Sequence, residues 1–190
     1  MTEEKKQLAR QEIRQRQEQA SHEWIAEESQ KILKNLMAHE AYCNAKVLFC
    51  YVNMQKEVQT IPLIVKALEA GKRVGVPLCL GPSVMEIREI RMLGDLEEGA
   101  YGILEPKPYT TVMNMEEVDY GIIPCVSCDW DGNRLGHGAG YYDRYLKDSD
   151  FTKAVLCFEE WMMDQIPVTE LDVPVDVVVS QSRLLEIKKK

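Results

Sequence analysis

Three glycines alternate in the stretch Leu135-Gly-His-Gly-Ala-Gly-Tyr-Tyr-Asp143, at Gly136, Gly138 and Gly140. Alternating glycines let a backbone curl so that several N–H groups point inward. A helix-compatible run follows at once, and its free N-terminal donors and dipole reinforce the same field. The chemistry such a loop suits is the cradling of phosphate. Asp143, in the first turn of that run, suits the magnesium ion that accompanies nucleotide phosphates. Arg134 and Arg144 flank the loop with charge for the same anion. The loop lacks the Gly-Lys-Ser/Thr ending of a P-loop and the spacing of a dinucleotide-binding turn. A second reading therefore stays open, a Gly-rich hairpin whose Tyr141, Tyr142 and Tyr145 fill the core. The preceding Asp129-Trp-Asp131-Gly132 is not a calcium loop, because its glycine spacing and closing glutamate are wrong. Asp131-Gly132 suits a tight turn instead.

The elements that must carry this loop can be read from periodicity. Residues 3–20 are charged and rich in Gln and Arg, with Leu8 and Ile13 as sparse apolar points, which predicts a mostly exposed helix. Ser21 suits the N-cap of a second helix, where Ile25, Ile32, Leu33, Leu36 and Met37 recur at helical spacing. Residues 46–52 have strand length. Thr60 can cap a helix with Ile61, Ile64, Val65 and Leu68 inward, which Gly71 ends. Strands are expected over 73–77 and 84–90, then a long connection over 94–118 broken by Gly99, Gly102, Pro106 and Pro108. Residues 118–124 form an apolar strand that feeds the glycine loop. A helix follows over 141–147, and buried strands over 154–158 and 175–180. Strands alternating with helices imply α/β architecture: an open parallel or mixed sheet with helices on both sides. Ligands in such sheets sit at the carboxyl ends of strands, where the loop would fall.

The 190 residues suit one domain spanning 1–190, with 45% hydrophobic and 28% charged residues, ordinary values for a globular protein. The net charge of −8 argues against a nucleic-acid partner, which requires a basic face. No apolar run approaches bilayer length, and Met-Thr-Glu-Glu-Lys-Lys-Gln carries no apolar signal core. A cytoplasmic protein without a membrane association is the expectation, and its six cysteines are then reduced thiols. Cys125-x-x-Cys128 admits a redox or zinc reading. No second pair at zinc spacing follows, and His22, His39 and His137 are scattered. Two small residues near a strand end is the plainer account.

Asn133-Arg-Leu-Gly-His-Gly-Ala-Gly-Tyr-Tyr-Asp143 is similar to the hallmark motif of the 5-formyltetrahydrofolate cyclo-ligase (methenyltetrahydrofolate synthetase) family. Other segments resemble the family in order along the chain. Lys6-x-x-x-Arg10 resembles its N-terminal basic pair, and Met54-Gln-Lys-Glu57-Val-Gln-Thr60 its substrate segment after the first strand. Gly102-Ile-Leu-Glu-Pro106, Phe158-Glu-Glu160, Ile166-Pro167 and Asp172-Val-Pro-Val-Asp176 resemble its later phrases. The resemblance spans almost the whole chain.

The resemblance implies a fold like that of ribose-phosphate isomerases and CoA transferases. It implies conversion of 5-formyltetrahydrofolate to 5,10-methenyltetrahydrofolate, with ATP as co-substrate, Mg2+ as cofactor, and no obligate protein partner. Lys6 and Arg10, one helical turn apart, are assigned to ATP phosphates, as is the segment Arg134, Leu135, Gly136, His137, Gly138, Ala139, Gly140, Tyr141 and Tyr142. Val52, Met54, Glu57, His137 and Tyr141 are assigned to the folate, with Arg134 and Tyr141 as catalytic. Asp143 and Asp176 are assigned to magnesium. On residue chemistry alone, Lys6 and Arg10 also suit a solvated basic face, and Glu57 and His137 an exposed loop.

Three positions depart from the family pattern: Cys125 where Gly is usual, Leu171 where His is common, and Trp161 in place of a frequent Gln. Leu171 and Trp161 put the folate pocket in question rather than the fold. Two other functions compete. One is a relative that binds folate or nucleotide without turnover, which has no need of metal-ligating carboxylates. The other is a sugar-phosphate isomerase or acyl-CoA transferase, which needs a base beside the substrate carbon and gives no reason for ATP.

Overall fold

Strand β1 (Val47–Cys50) is buried at every residue. Its alternate side chains enter two separate cores, Leu48 and Cys50 on one face, Val47 and Phe49 on the other. A strand covered on both faces reads as a continuous apolar run and belongs in the middle of a layered sheet. In this computed structural model, which describes residues 2–81, 84–99 and 102–188, β1 lies between β2 (Arg73–Gly81) and β7 (Tyr120–Ile123), parallel to both. Outward from β7 come β10 (Thr152–Leu156) and β11 (Val177–Val179), also parallel. Beyond β2 the sheet turns antiparallel through β3 (Val84–Ile90) and β6 (Thr111–Met113), and β12 (Leu184–Glu186) closes the other edge. The eight-stranded order is β12-β11-β10-β7-β1-β2-β3-β6.

The chain leaves β1 in one direction, to β2, through helix α4 (Ile61–Glu69). It leaves β7 in the other direction, to β10, through the short helix α5 (Tyr141–Leu146). Helix α4 packs with α1 (Thr2–Glu18), α2 (His22–Met37) and the short α3 (Glu40–Asn44) on one face, and α5 packs on the opposite face. The carboxyl ends of β1 and β7 therefore flank a topological switch point, where diverging crossovers leave a crevice. β7 can lie close to its covering segment because of Gly121. A Cβ there would stand 2.3 Å from the Phe151 ring, and overpacking of that kind destabilises by about 1–3 kcal/mol.

Several expectations need adjusting. Helix α1 is not simply exposed: Lys6, Ala9 and Ile13, spaced along one face, are buried, while Leu8 is the exposed apolar residue. The 94–118 connection holds three short strands, β4 (Leu96–Glu98) paired with β5 (Leu104–Pro106), and the edge strand β6. Its Gly and Pro residues punctuate strands rather than a structureless loop. Ser21 does cap α2, accepting from Trp24 N at 3.1 Å. Thr60 does not cap α4 with its side chain. Its hydroxyl donates to Tyr51 O at 2.7 Å, and Asn53 Oδ1 receives the N–H groups of Thr60 and Ile61 instead. That exchange folds the segment after β1 back against the strand end. Strand β2 runs past its partner β1 and with β3 forms an antiparallel hairpin; residues 82–83 lie outside the described residues. No helix among the described residues is long and apolar enough to cross a membrane.

Candidate functional site

At the β1/β7 switch point a cleft of about 1070 Å³ opens. Tyr51, Val52, Met54 and Glu57 after β1 form one wall, and Pro124 after β7 with residues 134–144 forms another. Helix α1 contributes Glu3, Lys6 and Arg10, the β2–β3 hairpin contributes Pro77, Cys79, Gly81 and Met85, and residues 169–173 close the rim.

The glycine loop is delivered by a small hairpin, β8 (Ser127–Cys128) against β9 (Arg134–Leu135). Asp129 is fully buried and organises its turn, accepting from Asp131 N, Asn133 N, Asn133 Nδ2 and Ile166 N at 2.9–3.0 Å. A carboxylate so satisfied is structural. Gly132 takes a positive φ of 86° there, as a tight turn requires. Beyond β9, Gly138 and Gly140 have φ of 106° and 65°, conformations costly for residues with a Cβ. Gly140 is also the N-cap of α5.

Four cationic side chains line the cleft with this loop. Arg10 Nε donates to Gly136 O at 2.8 Å, and Arg144 Nη2 to Ala139 O at 2.6 Å. Lys6 Nζ lies 2.6 Å from both oxygens of Asp172. Burial pushes the Asp172 carboxyl up, but the bonds from Lys6 and Thr169 outweigh it and hold it below its usual value. Arg134 is 5% exposed. Its Nη2 donates to Asp143 Oδ1 at 2.7 Å and its Nη1 to Pro124 O at 3.3 Å, while its Nε has no partner among the described residues. A buried donor left unpaired costs about 1–3 kcal/mol, a cost that an anion in the cleft would relieve.

Opposite the loop, Glu57 is 8% exposed. It accepts from Met54 N at 2.8 Å and meets His137 Nε2 at 2.9 Å. One side-chain contact thus joins the segment after β1 to the middle of the glycine loop. Tyr51 supplies an apolar wall, its hydroxyl donating to Val58 O at 2.9 Å. Its phenol is pushed well above its ordinary value by burial and then by the Glu57 charge. Tyr142 stacks on Phe49 at 6.1 Å and lies 5.8 Å from the Arg134 guanidinium, and burial raises its phenol likewise. Tyr141 donates to Gly81 O at 2.9 Å, tying α5 to the β2–β3 hairpin. Tyr141, Tyr142 and Tyr145 all pack against the core, while the glycines line the cleft.

Every residue assigned to nucleotide or folate from sequence lines this cleft: Lys6, Arg10, Val52, Met54, Glu57 and Arg134–Tyr142, with Asp143 beside them. Asp176 does not. It stands just before β11, at the amino ends of the parallel strands, where it accepts from Lys153 N at 2.8 Å. The cleft lies past their carboxyl ends, so Asp143 and Asp176 are not brought together. The carboxylate that does come alongside is Asp172, the other acid of the Asp172-Val-Pro-Val-Asp176 phrase. It lines the cleft, and Asp143 Oδ1 accepts from the N–H of its neighbour Val173 at 3.2 Å. A short Asp-x-x-x-Asp phrase offered two acids, and only the chain path chooses between them. Of the departing residues, Leu171 is exposed at the rim. Trp161 is buried against Phe158 and Trp24 away from the cleft lining.

The fold and the cleft define an α/β protein with a glycine- and arginine-lined cleft at a topological switch point. Residues 2–181 match the 5-formyltetrahydrofolate cyclo-ligase family, and the chain belongs to that family. It is 31% identical over 178 residues to the probable 5-formyltetrahydrofolate cyclo-ligase of Schizosaccharomyces pombe, covering 85% of this chain and 87% of the relative. It is 30% identical over 184 residues to the 5-formyltetrahydrofolate cyclo-ligase of Mus musculus, covering 90% of each. The solved 5,10-methenyltetrahydrofolate synthetase of Aquifex aeolicus superposes with a TM-score of 0.87 at 28% identity, over 97% of this chain and 94% of that one.

Proposed function

We propose that this chain converts 5-formyltetrahydrofolate to 5,10-methenyltetrahydrofolate, consuming ATP and releasing ADP and phosphate. The observation that carries this reading is the Glu57–His137 contact at 2.9 Å. It puts the segment read as folate-binding and the loop read as phosphate-binding in one cleft. In the reaction the formyl oxygen attacks the γ-phosphorus and ADP departs. The second folate nitrogen then attacks the activated formyl carbon and gives up its proton to solvent, and phosphate leaves with the former formyl oxygen.

The residues present suit positioning and charge neutralisation, the main demands of phosphoryl transfer. Lys6, Arg10 and Arg134 supply the cationic frame, and N–H groups of the Gly136–Gly140 segment supply close backbone donors. Arg134, buried and with an unpaired Nε, is positioned to balance charge gathering on the transferred group. Val52 and Met54 wall the folate, Glu57 accepts from its N–H groups, and Tyr141 holds the hairpin over the cleft. Asp143 and Asp172 are hard oxygen donors that line the cleft and would hold a magnesium ion once phosphate draws Lys6 and Arg134 away from them. The ion would neutralise phosphate charge there. No side-chain nucleophile is required. The reading places the protein in the cytoplasm, without an obligate protein partner.

The test is an absorbance assay. Purified protein with 5-formyltetrahydrofolate and Mg-ATP is expected to produce the near-ultraviolet band of the methenyl product, and no band without ATP. Folate and ATP binding with no product would favour a non-catalytic relative. ATP-independent turnover of a sugar phosphate or acyl-CoA would favour the other enzymes named above.

A further inference from the structure

Cys125, Cys128 and Cys157 converge, their sulfur atoms all within 4.8 Å of one another. Cys43 and Cys79 are exposed instead, and Cys50 is buried outside this cluster. Cys125 and Cys128 bracket the bend between β7 and β8, and Cys157 directly follows β10, the strand next to β7. The sheet thus brings together a short Cys-x-x-Cys pair and a third thiol roughly thirty residues on, which spacing alone does not reveal.

A buried cysteine used as a small apolar filler needs no other sulfur near it. Three sulfurs facing one point are what a trigonal thiolate site needs. With metal–sulfur bonds of about 2.3 Å, three ligands in a plane stand roughly 4.0 Å apart. The observed spacing reaches that by a contraction of less than about 1 Å, within the reach of a χ1 adjustment. Among the described residues no carboxylate or imidazole belongs to the cluster, so the donor set is wholly soft and discriminates against magnesium. Cys128 and Cys157 are buried and Cys125 half-buried.

We propose that Cys125, Cys128 and Cys157 form a binding site for one thiophilic d10 cation, Cu(I) or Zn(II). As each metal–sulfur bond forms, the thiol gives its proton to solvent. The site stands apart from the carboxylates of the cleft, yet it touches the same framework. Cys128 is registered opposite Arg134 in the β8–β9 pair, and Cys125 follows Pro124, whose carbonyl accepts from Arg134. Occupancy pins the bend that holds Arg134.

The experiment uses the full chain, reduced and freed of metal with a chelator, titrated without oxygen with Cu(I) and separately with Cd(II) as an absorbing stand-in for Zn(II). The expected result is a sulfur-to-metal charge-transfer band that saturates at one equivalent of either ion, with protection of three of the six thiols from alkylation. Cys125→Ala and Cys157→Ala are each expected to weaken binding at least tenfold. Cys43→Ala/Cys79→Ala is expected to leave it unchanged. Saturation by either ion at one equivalent, with that pattern, supports the site. It is overturned if neither ion gives a saturating band, if Cys125→Ala binds undiminished, or if the band disappears with Cys43 and Cys79. Should Cys157→Ala fail to fold, Cys125→Ala, altered at a half-buried position, decides the matter. Thiol protection in the unsubstituted protein supplies a readout independent of any variant.

Discussion

Glu57→Gln is the substitution that most sharply separates the two halves of the cleft. One carboxylate oxygen accepts Met54 N–H at 2.8 Å, and the other meets His137 at 2.9 Å. Glutamine has the same shape. Its amide oxygen can keep the Met54 bond, and its NH2 can donate to an imidazole that presents Nε2 as acceptor. The loop geometry should therefore survive, and the charge alone is lost. A hydrogen bond to an ionised acceptor contributes about 1.5–3 kcal/mol, against about 0.5–1.5 for a neutral one. The new NH2 also faces the N–H donors of the pterin, so the charge-assisted contribution goes without replacement. The expected loss is about 1.5–3 kcal/mol, roughly tenfold to hundredfold in folate affinity. Mg-ATP affinity should change less than about threefold. Two calorimetric titrations on the variant, one with each ligand, test this. Intact folate binding with weakened ATP binding would reverse the assignment of the two walls. No change in either would reduce Glu57 to a brace for the Met54 turn.

Gly138→Val should lower ATP affinity at least about tenfold in a folded protein, since φ is 106° and a Cβ would stand 3.3 Å from Arg10 Cζ; calorimetry and circular dichroism check the two parts. Asp143→Asn and Asp172→Asn should each raise the magnesium concentration needed for half-maximal rate. Asp176→Asn should leave it unmoved and lower only the melting temperature; a magnesium effect at Asp176 would break the geometric assignment. The Asp172 carboxyl has a folded pKa below its unfolded value, so its contribution to stability is present above the ordinary aspartate range and lost as pH falls through the folded value. The melting-temperature gap between the unsubstituted protein and Asp172→Asn should be full at pH 7 and close below about pH 4; a gap independent of pH would mean that packing, not the Lys6 ion pair, holds the rim.

The glycine loop and the elements around it could be read from sequence because their signals are local. Alternating glycines, a Ser21 cap and apolar runs of strand length depend on backbone sterics and on neighbours a few residues away. Lys6 and Arg10 were visible as a pair one turn apart for the same reason. What tertiary structure decided were matters of long-range placement. Lys6 meets Asp172 across 166 residues, which turns a charged helix taken as exposed into one wall of the cleft. Two acids four residues apart, Asp172 and Asp176, fall at opposite ends of a parallel strand set, because the chain between them crosses from the cleft rim to the start of β11. Thr60 carried a capping signal, but the carbonyl of Tyr51 and the side chain of Asn53 competed for the same groups and prevailed. The three sulfurs of Cys125, Cys128 and Cys157 meet only because β7 and β10 are neighbours in the sheet. Local sterics wrote the pieces legibly. Which side chains then share a cavity depends on strand order, and strand order arises from burying both faces of the sheet at once.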